Sequence, residues 1–409
     1  MKLNLKMGGL ILLMAVGCWN CGQKGGKTID LNPGENDLVF NDLATTWDEG
    51  MPIGNGLIGG LIWQKEERLR ISLDRSDLWD NRPSKAFADP DLNYQWLYNH
   101  RINGTYDEAL EKLTSFRPGR YAPTKIPGGA LEFDIAALGD LAQVRLYLEN
   151  ALCEIKWENQ AEMQIFTHAV HPVGWFRIAF AVDDMVPVLK TPEYESDREP
   201  NEERAGGQGY DILFLGYEQG DVISGENSTS YHQKGWGDFY YDIAVKWRKK
   251  GDILEGVWSI TSESGKKQAI EEVDKAMKRG FASDYATHQA WWKEFWSQSS
   301  ISIPDQVLEK QWYNEIYKIG AAARSDTPPI TLQAVWTADD DRLPPWRWDY
   351  HHDLNTPLSY WPFYSGNKLE YEQGFVDWLW SLVPEIKRFT KQCFDTDGLI
   401  VPGMSTIEG

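Results

Sequence analysis

The sequence predicts a multidomain β + α protein, in which a large antiparallel β-sandwich is followed by a helical domain. Three observations carry this. Between about residues 29 and 262, β-branched and aromatic runs are separated by Gly, Pro and Asn clusters, the punctuation of many short strands. Beyond about residue 266 the apolar period lengthens to that of a helix. The first part shows neither a strand–helix–strand rhythm nor a glycine-rich phosphate loop, which argues against a dinucleotide-binding fold.

The elements follow in chain order. Lys2 and Lys6 precede the apolar run 10–16, which is shorter than the roughly 20 residues that cross a bilayer and reads as an export signal. Ala15-Val16-Gly17-Cys18 resembles a bacterial lipobox, with Ala15 where Leu is more usual. That resemblance implies cleavage before Cys18, lipidation of it, and a place in the bacterial cell envelope (periplasm or cell surface), with the membrane touched only through the anchor. Ordinary signal cleavage with Cys18 incidental is the alternative. Cys21 completes a CxxC spacing inside this leader, so neither redox nor metal use is inferred. Four cysteines in a chain of this size make no disulfide framework.

Residues 68–73 alternate apolar and charged, and 165–182 and 240–247 carry further strand-like runs. The acidic, Gly-rich stretch 193–209 reads as a surface loop. Helical spacing covers 267–281, 285–296 and 306–324, the last with Val307, Trp312, Ile316 and Ile319 on one face. A further helix is expected over 370–393, with Asn367 as N-cap, a kink or break at Pro384, and Phe375, Trp378, Leu382 and Phe389 as its core stripe. The expected partition is a leader at 1–18, a β domain at 27–265, a helical linker at 266–304, and the start of a helical domain at 305–409. A toroid of six helix pairs needs on the order of 300 residues, so this last domain is expected to be cut short.

With 41 basic against 61 acidic residues and a net charge of −20, the chain lacks the cationic surface that a nucleic-acid backbone requires. Its 20 Trp, 18 Tyr and 15 Phe are unusual. Most such side chains are core, but one segment mixes them with polar groups. Residues 332–362 place Trp336, Trp346, Trp348 and Trp361 around Asp349, His351, His352, Asp353 and Asn355. Aromatic walls with a few convergent polar groups suit a small-molecule site holding a polyhydroxylated ring. A packed core would need a partner for every one of those groups.

The residue types leave three readings of 349–355. A metal site is disfavoured because adjacent histidines point apart and helical ligand spacing is absent. Sugar recognition with water activation is the second reading: a carboxylate or carboxamide holds the water while a base takes its proton. Local bracing by Asp353 and Asn355 is the third.

Ordered motifs add a resemblance. Thr46-Trp47-Asp48-Glu49, Pro52-Ile53-Gly54-Asn55-Gly56, Leu73-Asp74 and Asp77-Leu78-Trp79 resemble the N-terminal signature of glycoside hydrolase family 95, the α-L-fucosidases. Leu332-Gln333, Trp336-Thr337, Pro344-Pro345-Trp346, Asp353-Leu354-Asn355-Thr356 and Tyr360-Trp361-Pro362 resemble its catalytic-domain motifs in the same order, with Ser302 to Asp305 and Asn367 to Glu370 also fitting. The resemblance implies an antiparallel β-supersandwich followed by an (α/α)6 barrel, here incomplete, and a cofactor-free, metal-independent inverting glycosidase acting on a glycan substrate.

The family's water-holding Asn-x-Asn pair falls on Asp353 and Asn355, assigned here as the catalytic candidates. Trp336, Trp346, Asp349, His351, His352 and Trp361 are assigned to substrate binding. Asp353 stands where the family has Asn, so it either serves as its own base or marks a different sugar, such as L-galactose. The family's acid and base are expected beyond residue 409, and Glu408 is assigned at most to pocket lining. Two other classes stay open, a lipid-anchored glycan-binding protein and a sugar phosphorylase, the latter needing an anion pocket for which no basic cluster is evident.

Overall fold

The computed structural model describes residues 33–409 except 84–85, 87–88, 90, 116–121, 181–184, 202–208, 263–267, 337–338 and 340–341. The leader and Cys18 lie outside the described residues.

Two antiparallel sheets carry the first part. The larger has nine strands in the order Leu38–Phe40, Leu141–Tyr147, Leu152–Trp157, Glu162–Thr167, Gly174–Ala179, Ile253–Ser262, Tyr240–Lys250, Ser228–Lys234 and Asp221–Gly225. The smaller runs Val188–Lys190, Gly129–Asp134, Arg68–Arg75, Ile58–Lys65 and Met51–Gly54. Inward side chains meet between them, as where Phe133 and Phe176 approach edge to face at 4.9 Å. The expected antiparallel sheet-rich region followed by helices is therefore observed.

Two helices, Tyr94–Ile102 and Tyr106–Ser115, interrupt the β region, which the sequence reading treated as β throughout. Apolar periodicity is weak in the first of them, and most side chains of both are exposed; Asn93 caps the first by accepting from the Trp96 amide at 2.9 Å.

The helices after the sheets are built around the larger sheet's outer face. Ala269, Val273, Ala276 and Phe281 pack with Leu152, Phe166, Val173, Trp175, Ala244 and Val257 of that sheet. They come from the helices Ala269–Arg279 and Phe281–Ser297, which meet at Gly280. Gly280 has φ +83°, a conformation costly for residues with a Cβ. Helix Gln306–Ala322 starts at Asp305, whose carboxylate accepts from the Val307 and Leu308 amides. Its buried face is Tyr313, Ile316, Tyr317 and Ile319. Val307, expected on that face, is 78% exposed, the buried residues of the helix starting only at Tyr313.

The expected helix over 370–393 is two helices, Leu369–Ser381 and Val383–Phe394. Pro384 cannot donate to the preceding turn, and the break falls at Leu382. Asn367 does not cap. It has φ +55°, and its side-chain amide instead donates to Gln298 O at 3.1 Å.

The helix Gln306–Ala322 lies against strand Met51–Gly54. Tyr317 Oη donates to Pro52 O at 2.7 Å and the Gly56 amide donates to Ala321 O at 2.8 Å. The Gly54-Asn55-Gly56 motif therefore sits where sheet and helix touch. Among the described residues no helix is long and apolar enough to cross a membrane.

Candidate active site

The segment 336–362 is held by the β region at three places. Trp336 donates its indole N–H to Ile53 O at 3.0 Å. Asp339 receives Arg70 Nε at 2.7 Å and Arg70 Nη2 at 2.6 Å, a paired charge-assisted contact. Leu343 exchanges backbone hydrogen bonds with the loop before it in space: Gly209 N to Leu343 O at 2.9 Å and Leu343 N to Tyr210 O at 2.7 Å. Gly209 is needed there, since a Cβ would lie 2.4 Å from Leu343 O. The loop 193–209 is thus not wholly a solvated surface feature; Tyr194 within it is buried.

Next comes a tight turn, Pro345–Trp348. Trp346, Arg347 and Trp348 all have positive φ, at 56°, 62° and 51°. Left-handed backbone at non-glycine residues costs on the order of 1 kcal/mol each and persists where the surroundings impose it. Here they do. Trp348 is fully buried with Lys125 Nζ 5.4 Å from its ring centroid, and Tyr350 stacks on Trp79 at 6.1 Å with 13° between planes. Tyr350–His351 then pairs antiparallel with Met404–Ser405, and the His352 amide donates to Gly403 O at 2.9 Å.

The sequence-assigned residues fall into two groups. Asp349 and His351 contact each other, and each side chain is 14% exposed. Burial lifts the Asp349 carboxyl to about 6, with His351 and Arg347 pulling it back down and Asp353 adding to the rise. Trp346 meets His351 edge-on at 5.9 Å while its own side chain remains 68% exposed. His352 lies against Trp378 at 5.9 Å, with Nε2 at 3.0 Å from Ser405 Oγ. Burial, then the neighbouring His351, hold its imidazole below the usual value.

Asp353, Asn355 and Trp361 form the second, exposed group. Asn355 opens helix Asn355–Ser365 and lines a cavity of about 270 Å³ with Thr331, Leu332, Thr356, Leu358 and Ser359. Asp353 is not among those lining residues, yet it acts electrostatically on both Asp349 and His352. Two carboxylates and two imidazoles thus interact within residues 349–353. Such a set can accept protons, hold water and hydrogen-bond hydroxyl groups.

Trp336 is turned to bracing, because its N–H is committed to Ile53 O. Glu408 is exposed, and its amide donates to Thr406 Oγ1 at 3.1 Å; it is not among the cavity's lining residues. Among the described residues no cluster of three or more His, Cys, Asp or Glu side chains could hold a metal. Sequence reasoning missed Thr331, Ser359 and Lys125. Asp74 and Trp79 stood in a quoted motif with no role attached, and nothing in the local pattern pointed to Lys125.

Residues 268–409 match the glycosyl hydrolase family 95 catalytic domain, and residues 38–179 match the N-terminal domain of glycosyl hydrolase family 65. Alpha-L-fucosidase 2 of Arabidopsis thaliana is 17% identical over 90% of this chain and 52% of its own length. The chain therefore spans about half of that curated relative. A family 92 inverting mannosidase structure from Bacteroides thetaiotaomicron aligns at 9% identity and a TM-score of 0.30, covering 68% of this chain and 36% of that one.

Proposed function

We propose that this chain, which carries a family 95 catalytic segment and belongs with the glycoside hydrolases, serves an enzyme removing terminal α-L-fucosyl or related L-galactosyl residues from glycans with inversion. The observation that carries the reading is the placing of Asn355 in a cavity at an exposed helix start, with Asp353 two residues before it. In an inverting hydrolase a water stands between sugar and protein, and the paired carboxyl groups are about 6.5–9.5 Å apart to admit it. The Asn355 carboxamide can accept from that water and donate to a sugar hydroxyl. The Asp353 carboxylate, exposed to solvent, can only accept while ionised, so it orients the water by accepting one of its O–H groups. Trp346 and Trp361 offer exposed aromatic faces for the apolar side of a sugar ring.

The decisive experiment gives the full-length protein an aryl α-L-fucoside and an α-L-galactoside and follows the product anomer by proton NMR. Release of the inverted β-anomer is expected. Absence of release from either glycoside, with intact folding, would overturn the reading; tight binding without release would favour the glycan-binding alternative. Asp353→Asn separates two roles: if the carboxylate acts as base, kcat falls at least tenfold, and unchanged turnover removes it from that role.

Export and anchoring belong to the same proposal. The basic, apolar and small-residue order of 2–18 supports lipidation at Cys18 and residence in the bacterial envelope. Metabolic labelling with a fatty-acid analogue checks it, and label retained in Cys18→Ser would count against it.

A further inference from the structure

Two residues of the β region meet alternate residues of the candidate site. Trp79 and Lys125 are register partners in a two-residue ladder, Trp79–Asp80 against Thr124–Lys125. Lys125, with no exposure, forms an ion pair with the equally buried Asp74 and holds its ammonium 5.4 Å from the Trp348 ring. Trp79 stacks on Tyr350. In extended backbone successive side chains leave on opposite faces. Residues 349–351 are extended, so docking Tyr350 on Trp79 turns Asp349 and His351 the other way, where they contact each other and Trp346 meets His351.

The chemistry of the ladder fits such a role. A buried ion pair is a poor source of stability, since desolvation consumes most of the attraction. It is a good source of a single register: the ammonium needs both the Asp74 carboxylate and the Trp348 face, and only one placement of Trp348 supplies them. Three successive residues at positive φ require such an external hold.

We propose that Asp74, Lys125 and Trp79 are positioning residues that fix which face of segment 346–351 looks outward, and so aim Trp346 and the Asp349–His351 pair at a bound sugar. The sugar rests on the glycoside hydrolase reading above; the positioning does not. When the dock is lost, the segment loses its single orientation and Asp349 becomes hydrated.

The test uses the full-length protein and two readouts: the Asp349 carboxyl titration, followed by carbon-13 NMR and assigned with Asp349→Asn, and kcat and KM on the glycoside that is turned over. The groups acting on Asp349 are His351, Arg347 and Asp353, and all three are left intact. Lys125→Met alone strands a buried carboxylate and is expected to compromise folding. The Asp74→Asn/Lys125→Met double variant keeps the shape without buried charge and is the informative one.

In the natural protein Asp349 is expected to titrate near 6, pushed up by burial. In the double variant it falls toward about 4, the value of a hydrated aspartate, and kcat drops roughly 10- to 100-fold, as misplacement by an ångström does. Lys125→Arg keeps the charge and the pair, so the titration stays near 6 and kcat stays within about threefold. An unmoved Asp349 titration in the folded double variant overturns the proposal, as does a collapse of the titration in Lys125→Arg. A titration that moves as expected in a protein that turns over no glycoside supports the positioning and overturns only the functional reading.

Discussion

Two pairs of histidines sit in very different surroundings. His168 and His288 are buried between the larger sheet and helix Phe281–Ser297. His288 Nδ1 accepts the Ala169 amide at 3.1 Å and its Nε2–H donates to Asn150 O at 2.6 Å. His168 Nδ1 accepts the Val170 and His171 amides, both at 3.0 Å, and Nε2 meets Thr287 Oγ1 at 3.0 Å. Both nitrogens of each ring are committed and the tautomers follow, so these imidazoles are mortar. His351 and His352 keep partial exposure; one faces a carboxylate and the other a hydroxyl. A histidine becomes available for chemistry where the fold leaves its bonding incomplete, and residue type alone does not reveal which kind it is.

The sharpest way to break that contrast is at the exposed pair beside the second set. Asn355→Ala is expected to lower kcat roughly 10²- to 10³-fold, the usual loss when one preorganised polar partner of a transition state is removed, with the thermal midpoint almost unmoved. A variant whose thermal midpoint falls by several degrees while its folded fraction keeps normal turnover would make Asn355 mortar too. Next in size, His288→Leu leaves Asn150 O and the Ala169 amide buried without their partner and should cost about 2–4 kcal/mol, read from urea midpoints. Glycoside turnover by the surviving folded fraction should be normal.

The contrast also predicts a pH response. Burial holds the His168 imidazole down to about 4 and that of His288 to about 3, against about 6.5 in an unfolded chain. Asp284 raises the first and the neighbouring His171 and Arg279 lower it, while His168 and Arg324 lower the second. Because the unfolded chain binds these protons first, the stability they contribute is complete above pH 6.5 and is lost as pH falls from there, toward 4 for His168 and toward 3 for His288. Each histidine contributes a slope of up to ~1.4 kcal/mol per pH unit. A urea midpoint flat between pH 7 and 5 would remove the scaffold assignment. The smallest effect is at Trp361, which is 64% exposed: Trp361→Ala should shift stability by under ~0.5 kcal/mol while raising KM several-fold, and an unchanged KM takes it out of the sugar site.

How much of this was legible in the chain depends on the range of the interaction. Alternation at 68–73 and helical spacing at 306–324 report which face meets the core, and strand Arg68–Arg75 and helix Gln306–Ala322 follow. Asp305 caps its helix through local contacts, yet the sequence reading took it only as part of a linker motif. Asn367, read as a cap, is not one, because its side chain is drawn to Gln298, 69 residues back in the chain. The crowding of polar and aromatic types at 349–355 drew attention to the segment in which Asp349 and His351 come into contact. What stayed hidden was its support: Lys125, Arg70 and Gly209 act on 336–351 across more than a hundred residues, and no short window holds both ends of such a contact.

Gly209 carries a consequence for how this architecture can change. Its missing side chain lets Leu343 and Pro344 pass within a distance that any other residue would block, so a loop of the β region and a turn of the helical region are fitted to each other's backbones. A chimera that joins this β region to the helices of a distant relative at a crossover between Ser262 and Gln268 keeps the linker chemically intact but separates that fit. Successful recombinants should be those that carry residues 209–211 and 124–125 along with the helices. The inheritable unit is then a discontinuous set of positions rather than either half of the chain.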